Sequence, residues 1–192
     1  MTAICLGTEP NAFLRAQQSR LKPGWRALAV ADGEGRNGVW LAQQGLDVLS
    51  VDGSSVAQDK ARKLATARGV QLAIEHADLD TWAWPVGQMD VVVGIFIQFV
   101  GPSGRDKQFA NMKRALKPGG MILLEGYRPE QLRYGTGGPT KHIENLYTGD
   151  LLRAAFADME ILSLTSYDAE ISEGTRHQGM SALIDLVARK AR

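Results

Sequence analysis

Apolar segments of strand length alternate with amphipathic helical segments along most of this 192-residue chain, and this alternation limits the possible folds most strongly. Five strand–helix alternations predict a parallel, doubly wound sheet with helices on both faces. The last two strands, at 159–171 and 179–189, are too close in sequence for a parallel crossover, so they must pair antiparallel. We therefore predict an α/β fold in one domain, 1–192, with a mostly parallel seven-stranded sheet that ends in an antiparallel hairpin.

The other predicted elements follow from hydrophobic periodicity and from glycine and proline at the turns. The predicted strands are 26–31, 47–51, 70–76, 89–96 and 121–125, and the predicted helices are 36–44, 55–68, 103–116 and 148–156. Ser55 and Gln58 have the spacing of a capping box at a helix start. We expect an N-terminal arm or helix over 1–25. The irregular segment 127–147 is long for a compact domain, which predicts an active-site loop.

The turn after the first strand contains Gly33, Gly35 and Gly38, and Asp52 follows at the end of the next strand. Glycine lets the backbone approach a ligand closely, and the unpaired N–H groups of a helix start face polar or anionic groups. A carboxylate only accepts hydrogen bonds, which suits the diol of a ribose. The pattern therefore predicts a cofactor that contains adenosine. By itself it leaves open whether that cofactor is a nicotinamide dinucleotide or S-adenosylmethionine.

Five segments match, in the correct order, the motifs of small bacterial class I S-adenosylmethionine-dependent methyltransferases. These segments are 28–38, 51–52, 77–79, 116–120 and 124–127. The chain resembles this class over about residues 10–190. Within the class it is most similar to the group related to the tellurite-resistance methyltransferases, which segments 134–139 and 173–179 also resemble.

The resemblance implies S-adenosyl-L-methionine as the cofactor and assigns its contacts. Asp52 would bind the ribose hydroxyls, Asp78 would accept from the adenine amino group, and Arg36 would reach the carboxylate of the methionine tail. The implied cofactor-binding residues are Asp32, Gly33, Glu34, Gly35, Arg36, Asp52, Gly53, Asp78, Leu79, Gly94, Ile95 and Phe96.

Two positions depart from the pattern of the family. Ala29 stands where an acidic residue usually precedes the glycine turn, and Ala31 replaces the usual first glycine. Asp32 and Glu34 are the nearby carboxylates. We predict that Asp32 takes over the ammonium group of the methionine tail.

Two other classes of function are weighed against methyl transfer. A one-domain reductase of this size would be expected to carry a Tyr-x-x-x-Lys pair for proton transfer, and no tyrosine here is followed by lysine at that spacing. An NAD(P)-binding protein is therefore disfavoured. The second alternative is a non-catalytic, S-adenosylmethionine-binding regulatory domain, which Ala29 and the absence of a clear catalytic base leave open.

The methyl acceptor is predicted to be a small molecule. Residues 96–99 are Phe-Ile-Gln-Phe, where enzymes that methylate DNA bases or glutamine often carry an Asn/Asp/Ser-Pro-Pro-aromatic motif. The group resemblance points to a soft nucleophile, such as a thiol or an oxyanion of tellurium or selenium. Histidine titrates near neutrality, so His177 is the candidate base. Tyr127 is the second candidate catalytic residue and is expected to form a wall of the same pocket.

Composition limits the partners. A formal net charge of +1 gives no reason to expect nucleic acid or an anionic membrane surface as a partner. The single Cys5 excludes an internal disulfide, and the three histidines lack metal-ligand spacing, so we predict no metal. The sequence shows neither a signal peptide nor an apolar span of roughly 20 residues. We expect a cytoplasmic monomer or homodimer.

Overall fold

The computed structural model describes residues 7–136, 142–174 and 177–192. Seven strands lie in these ranges: β1 (Arg26–Val30), β2 (Asp47–Asp52), β3 (Ala73–His76), β4 (Met89–Ile95), β5 (Leu116–Tyr127), β6 (Glu160–Glu173) and β7 (His177–Arg189). They form one sheet in the order β3-β2-β1-β4-β5-β7-β6. The order reverses between β1 and β4, where doubly wound sheets have their ligand crevice.

The first five strands are parallel, and β7 is antiparallel to both of its neighbours, β5 and β6. The predicted fold class is thereby confirmed. Because β7 lies between β5 and β6 and is antiparallel to both, β6 runs parallel to β5. The connection between β6 and β7 therefore lies at the same edge of the sheet as the carboxyl ends of the parallel strands.

Helices cover both faces of the sheet. They are α1 (Ala12–Ala16), α2 (Arg36–Gln43), α3 (Ser55–Ala67), α4 (Pro102–Ala115), α5 (Gln131–Tyr134) and α6 (Gly149–Ala155). Leu123 packs with residues of α1 and α2, whereas the next residue, Leu124, packs with residues of α4 and α6. This difference follows from the alternation of side chains along a strand. No helix in the described part of the chain has the length and apolar character needed to cross a bilayer.

The start of α3 differs from the predicted capping box. The cap is Ser54, whose hydroxyl accepts a hydrogen bond from the backbone N–H of Ala57, and not Ser55. Gln58 does not reach back to the cap. Its buried amide donates instead to the carbonyl oxygens of Asp52 (2.9 Å) and Glu75 (2.6 Å). Gln58 thus joins the ends of two parallel strands.

Three boundaries also differ. β3 begins at Ala73 and not at 70, because the N–H of Val70 is bonded to the carbonyl of Ala65 at the end of α3. β5 begins earlier than predicted, at Leu116, which pairs with Met89 before a register shift. The hairpin strands pair as far as Glu173 and His177, so their connection is shorter than expected.

Parts of the predicted arm, loop and hairpin lie outside the described residues. These parts are 1–6, which include Cys5, together with 137–141 and 175–176. The described part of 1–25 contains α1 and a short 3-10 helix, Gln18–Arg20. The described part of 127–147 contains α5 and a second 3-10 helix, Ile143–Asn145.

Candidate active site

A cavity of about 980 Å³ lies at the carboxyl ends of β1, β2 and β3, next to the start of α4. Four predicted cofactor residues, Asp52, Gly53, Asp78 and Leu79, line it. The opposite wall comes from residues that the sequence analysis did not select: Phe99, Val100, Gly101, Ser103, Gly104, Lys107, Gln108 and Asn111. No motif marks this wall, and only its position after the fourth strand could have indicated it.

Asp52 holds the two turns at the edge of the cavity together. One carboxylate oxygen accepts from the N–H of Gly33 at 2.8 Å, and the other accepts from the N–H of Ser54 at 2.8 Å. Each carboxylate oxygen can accept a further hydrogen bond. Asp52 can therefore anchor the glycine turn and still accept from hydroxyl groups of a ligand.

Asp78 forms a turn at the end of the neighbouring strand. Its carboxylate accepts from the N–H of Asp80 at 2.9 Å, and its carbonyl accepts from the N–H groups of Thr81 and Trp82. Asp80 in turn pairs with Lys107 of α4 at 2.6 Å. This exposed pair connects the two sides of the cavity, although surface ion pairs contribute little to stability.

The glycine turn is shaped by helix packing as well as by ligand approach. Gly33 and Gly35 have positive φ angles of 60° and 85°. A Cβ on Gly35 would lie 2.5 Å from the Cβ of Ala61, so glycine is required for α2 to approach α3. Beside it, Glu34 forms a largely buried ion pair with Lys60 at 2.5 Å.

Asp32 is buried beneath the glycine turn. Its carboxylate accepts from the N–H of Gly38, at 3.2 Å to each oxygen, and from the hydroxyl of Ser50 at 2.8 Å. Burial raises the pKa of Asp32 to about 6, although these hydrogen bonds act in the opposite direction. In this arrangement Asp32 supports the start of α2. The ammonium contact predicted from the sequence would have to compete with these bonds.

The replacement Asp32→Asn is expected to change how stability depends on pH. A raised carboxyl pKa means that the folded protein binds more protons than the unfolded chain, so its contribution is present below about pH 4 and is lost as the pH rises through 6. Wild type should therefore lose about 3 kcal/mol relative to the variant over that range. Urea unfolding of both proteins at about pH 4 and about pH 7.5 measures the difference.

Other groups that titrate in this range act equally on both proteins and cancel in the comparison. A constant difference between the two unfolding free energies would contradict the prediction. Titration of the variant with S-adenosylmethionine separates the two possible roles, because loss of affinity without loss of stability would indicate the ammonium contact.

Arg36 is also engaged within the protein. Its guanidinium pairs with Glu173, at the end of β6, at 2.6 Å, and both side chains are largely buried. The same carboxylate accepts from the side chain of Asn11 and from the N–H of Ala12. Glu173 therefore joins the N-terminal helix, the glycine turn and the hairpin above the predicted position of the methionine tail.

The three predicted cofactor contacts at the end of β4, Gly94, Ile95 and Phe96, have different surroundings. A Cβ on Gly94 would lie 2.7 Å from Ile97 and 3.2 Å from Met112, so this glycine permits tight packing in the core. Ile95 is half-buried against the other face of the sheet. Phe96 has a positive φ of 56°, which is uncommon for a bulky residue, and turns its ring toward Tyr127 and His177.

The structure brings the two predicted catalytic residues into contact. The hydroxyl of Tyr127 lies 2.7 Å from Nδ1 of His177, and the ring of Phe96 stacks on both. Gln98 lies just behind them and forms two hydrogen bonds with the backbone of Tyr127. Both residues were expected at this edge of the sheet, but no sequence pattern around residues 127 and 177 indicated the hydrogen bond between them.

An acidic pair, with Glu125 buried and Asp185 half-buried, lies on the same face of the sheet and was not predicted from the sequence. Glu125 of β5 is opposite Asp185 of β7, and the hydroxyl of Tyr167 donates to Glu125 at 3.2 Å. Burial and the neighbouring carboxylate raise the pKa of Glu125 well above its usual value, and burial raises that of Asp185 to about 6. Each of these two apolar strands contains a single acidic residue, and this pattern could have indicated the pair from the sequence.

The cavity has the chemistry expected for the nucleoside of S-adenosylmethionine. It places apolar side chains such as Leu79 and Val100 beside two carboxylates, Asp52 and Asp78. Apolar walls with a few placed polar groups are typical of small-molecule sites, as is a volume of roughly 300–1,000 Å³. The residues predicted for the methionine end, Asp32, Glu34 and Arg36, instead have protein partners. The cavity therefore fits the sugar and adenine of S-adenosylmethionine, whereas the side chains predicted for the methionine end are bound to other residues of the protein.

Comparison with known proteins agrees with this geometry. Residues 27–120 match the family described as methyltransferase domain. A glycine/sarcosine N-methyltransferase from Halorhodospira halochloris is 29% identical over 116 residues, which cover 57% of this chain and 42% of that protein. The chain thus spans less than half the length of this curated relative.

Solved structures share the whole fold. A SAM-dependent methyltransferase from Methanosarcina mazei superposes with a TM-score of 0.76 at 17% identity, covering 95% of this chain and 99% of that one. TehB from Haemophilus influenzae superposes with a TM-score of 0.75 at 17% identity, covering 99% of this chain and 63% of that one. At such low identities these likenesses show the fold alone.

Proposed function

We propose, on the premise that the match of residues 27–120 to the methyltransferase domain family reflects a shared activity, that this chain transfers a methyl group from S-adenosylmethionine to a small molecule. The observation that carries the proposal is the position of Asp52. It lies at the carboxyl end of β2, on the wall of a cavity of nucleoside size, and it holds the glycine turn in place. This is where a doubly wound sheet binds ligands.

The residues of the chain bind and orient the reactants. Asp52 would accept hydrogen bonds from the ribose hydroxyls, and Asp78 would accept one from the adenine amino group. When bound, S-adenosylmethionine supplies an electrophilic methyl group on a sulfonium. The protein contributes mainly alignment of the attacking atom with the departing sulfur and exclusion of water.

The acceptor is proposed to be a soft nucleophile, such as a thiol or an oxyanion of tellurium or selenium. Two things support this: the motif resemblance to the tellurite-resistance group and the shared fold with TehB. The relative that methylates glycine and sarcosine supports small amines as the second acceptor class. Phe96 and His177, which stack on each other at the same edge of the sheet as the cavity, are proposed to border the acceptor, with Tyr127 buried behind them.

A cytoplasmic monomer or homodimer, without nucleic acid or membrane partners, belongs to the same proposal. Ordinary surface charge and an acceptor of low molecular weight support it, since neither requires a second macromolecule.

The test has two stages, binding and turnover. Calorimetric titration with S-adenosylmethionine should give saturable heat, while NADH at the same concentrations should give none. The protein is then incubated with S-adenosylmethionine and, separately, tellurite, selenite, small thiols and glycine, and release of S-adenosylhomocysteine is measured. Binding with no turnover on any acceptor would favour the regulatory-domain alternative. Absence of binding would contradict the proposal itself.

A further inference from the structure

The hydrogen bond between Tyr127 and His177 has a direction that can be worked out. The hydroxyl of Tyr127 lies 2.7 Å from Nδ1 of His177. Tyr127 is fully buried, and among the described residues no other acceptor lies within hydrogen-bond distance of its hydroxyl. A buried hydroxyl left without an acceptor would cost about 1–3 kcal/mol. The proton of the phenol therefore belongs in the bond to Nδ1.

The electrostatic surroundings keep that proton on the tyrosine. Burial and the carboxylates of Glu125 and Glu173 raise the pKa of Tyr127 above its ordinary value, and the opposing effect of Arg36 is smaller. These three side chains come from β5, β6 and α2. Tyr127 is thus a donor throughout the physiological pH range, and Nδ1 of the neutral imidazole must be the acceptor.

Hydrogen bonds hold the backbone of Tyr127, and ring stacking holds its side chain. The amide of Gln98 accepts from the backbone N–H of Tyr127 at 2.6 Å and donates to its carbonyl at 2.8 Å. The same carbonyl also accepts from the N–H of Tyr147 at 2.9 Å. The ring of Phe96 stacks on Tyr127 at 4.6 Å and on His177 at 4.5 Å, so it covers one side of their hydrogen bond.

We propose that Tyr127 is a positioning residue that holds neutral His177 in the tautomer with its proton on Nε2. A histidine in this tautomer presents an N–H donor at the second ring nitrogen and has no lone pair there to remove a proton. His177 therefore acts as a hydrogen-bond donor and not as the general base that the sequence analysis expected. For its meaning in catalysis, this inference rests on the proposed function.

The donor role narrows the class of acceptor. The acceptor attacks with a lone pair that it already holds, its new bond forms to the methyl carbon, and the bond to sulfur breaks with its electron pair. No proton changes place on His177. This chemistry suits a nucleophile that is already anionic or unprotonated, such as an oxyanion or a thiolate. It does not suit an alcohol or an ammonium group, which must first lose a proton.

The tautomer can be measured without any turnover. Long-range proton–nitrogen NMR spectra of the wild-type protein, recorded at about pH 8.5, where an imidazole of ordinary pKa near 6.5 is neutral, distinguish the two tautomers. We expect the Nε2–H pattern for His177, identified by its disappearance in His177→Gln. His76 and His142 serve as internal controls. The Nδ1–H pattern would overturn the proposal. The measurement does not depend on catalytic activity, because the variant serves only to assign the signal.

Two variants then test the positioning role and its consequence. In Tyr127→Phe, His177 should shift toward a mixture of tautomers while His76 and His142 stay unchanged; an unchanged His177 would remove Tyr127 from the role. With an anionic acceptor that supports turnover, His177→Gln, which keeps an N–H donor, should retain at least ten times the activity of His177→Ala. Equal loss in both variants would contradict the donor role. Absence of turnover in wild type would count only against the proposed function.

Discussion

The replacement Gly35→Ala is expected to remove about 2–5 kcal/mol of stability, a large part of the 5–15 kcal/mol typical of a domain. Two costs add together. Alanine is strained at the φ of 85°, and its Cβ would lie 2.5 Å from the Cβ and 2.9 Å from the Cα of Ala61. Because the second contact is with backbone, rotation of a side chain cannot relieve it. Urea unfolding followed by circular dichroism measures the loss.

Gly69→Ala is the matched control. Gly69 also has a positive φ, of 67°, but a Cβ there would meet nothing within 4 Å, so only the backbone strain of about 1–2 kcal/mol should appear. In the double variant Gly35→Ala with Ala61→Gly, the contact between the two Cβ atoms is removed and part of the loss should return. Equal losses in Gly35→Ala and Gly69→Ala would show that packing between α2 and α3 does not require the glycine.

The second large effect is expected on cofactor affinity. Asp52→Asn should weaken binding of S-adenosylmethionine about 100-fold, since hydrogen bonds to a charged group contribute about 1.5–3 kcal/mol each and the amide removes one of the two acceptor atoms. The amide oxygen can still accept from Gly33 or from Ser54, so the fold should survive. Calorimetric titration gives the change in Kd, and the melting temperature checks the fold.

Asp59→Asn is the control for charge. Asp59 lies on the exposed surface of α3, where it pairs with Arg62, and its removal should change the affinity less than twofold. If Asp52→Asn binds within threefold of wild type while its melting temperature is unchanged, Asp52 serves only to anchor the turns. The sugar would then have to be held by other residues of the cavity.

The sheet could be predicted because its periodicity and spacing are local. Five apolar strands separated by helices permit few arrangements, and the short connection before β7 permits only an antiparallel pair. The boundaries were harder, because tertiary bonds decide them. The backbone hydrogen bond from Val70 to Ala65 keeps Val70 out of β3. The side chain of Gln58 donates to backbone carbonyls of β2 and β3 and therefore does not form a capping box.

The candidate site was predictable in part for the same reason. Asp52 is the last residue of β2 and Asp78 lies two residues after β3, so topology alone brings them to one edge. Asp32, Glu34 and Arg36 also lie at that edge, but their partners come from β2, α3 and the hairpin, respectively, which lie outside the local pattern of the turn. The bonds of Asp32 to Ser50 and of Arg36 to Glu173 have no counterpart in any local pattern.

The insertion of β7 between β5 and β6 has a consequence for biosynthesis. A nascent chain that has emerged only as far as β6 holds the apolar edge of β5 without its partner, and it lacks His177, the proposed hydrogen-bond donor. Such an intermediate would be exposed to pairing with other chains, as unfilled sheet edges are. We therefore expect addition of β7 to supply His177 and to cover the exposed edge of β5 in the same step of folding.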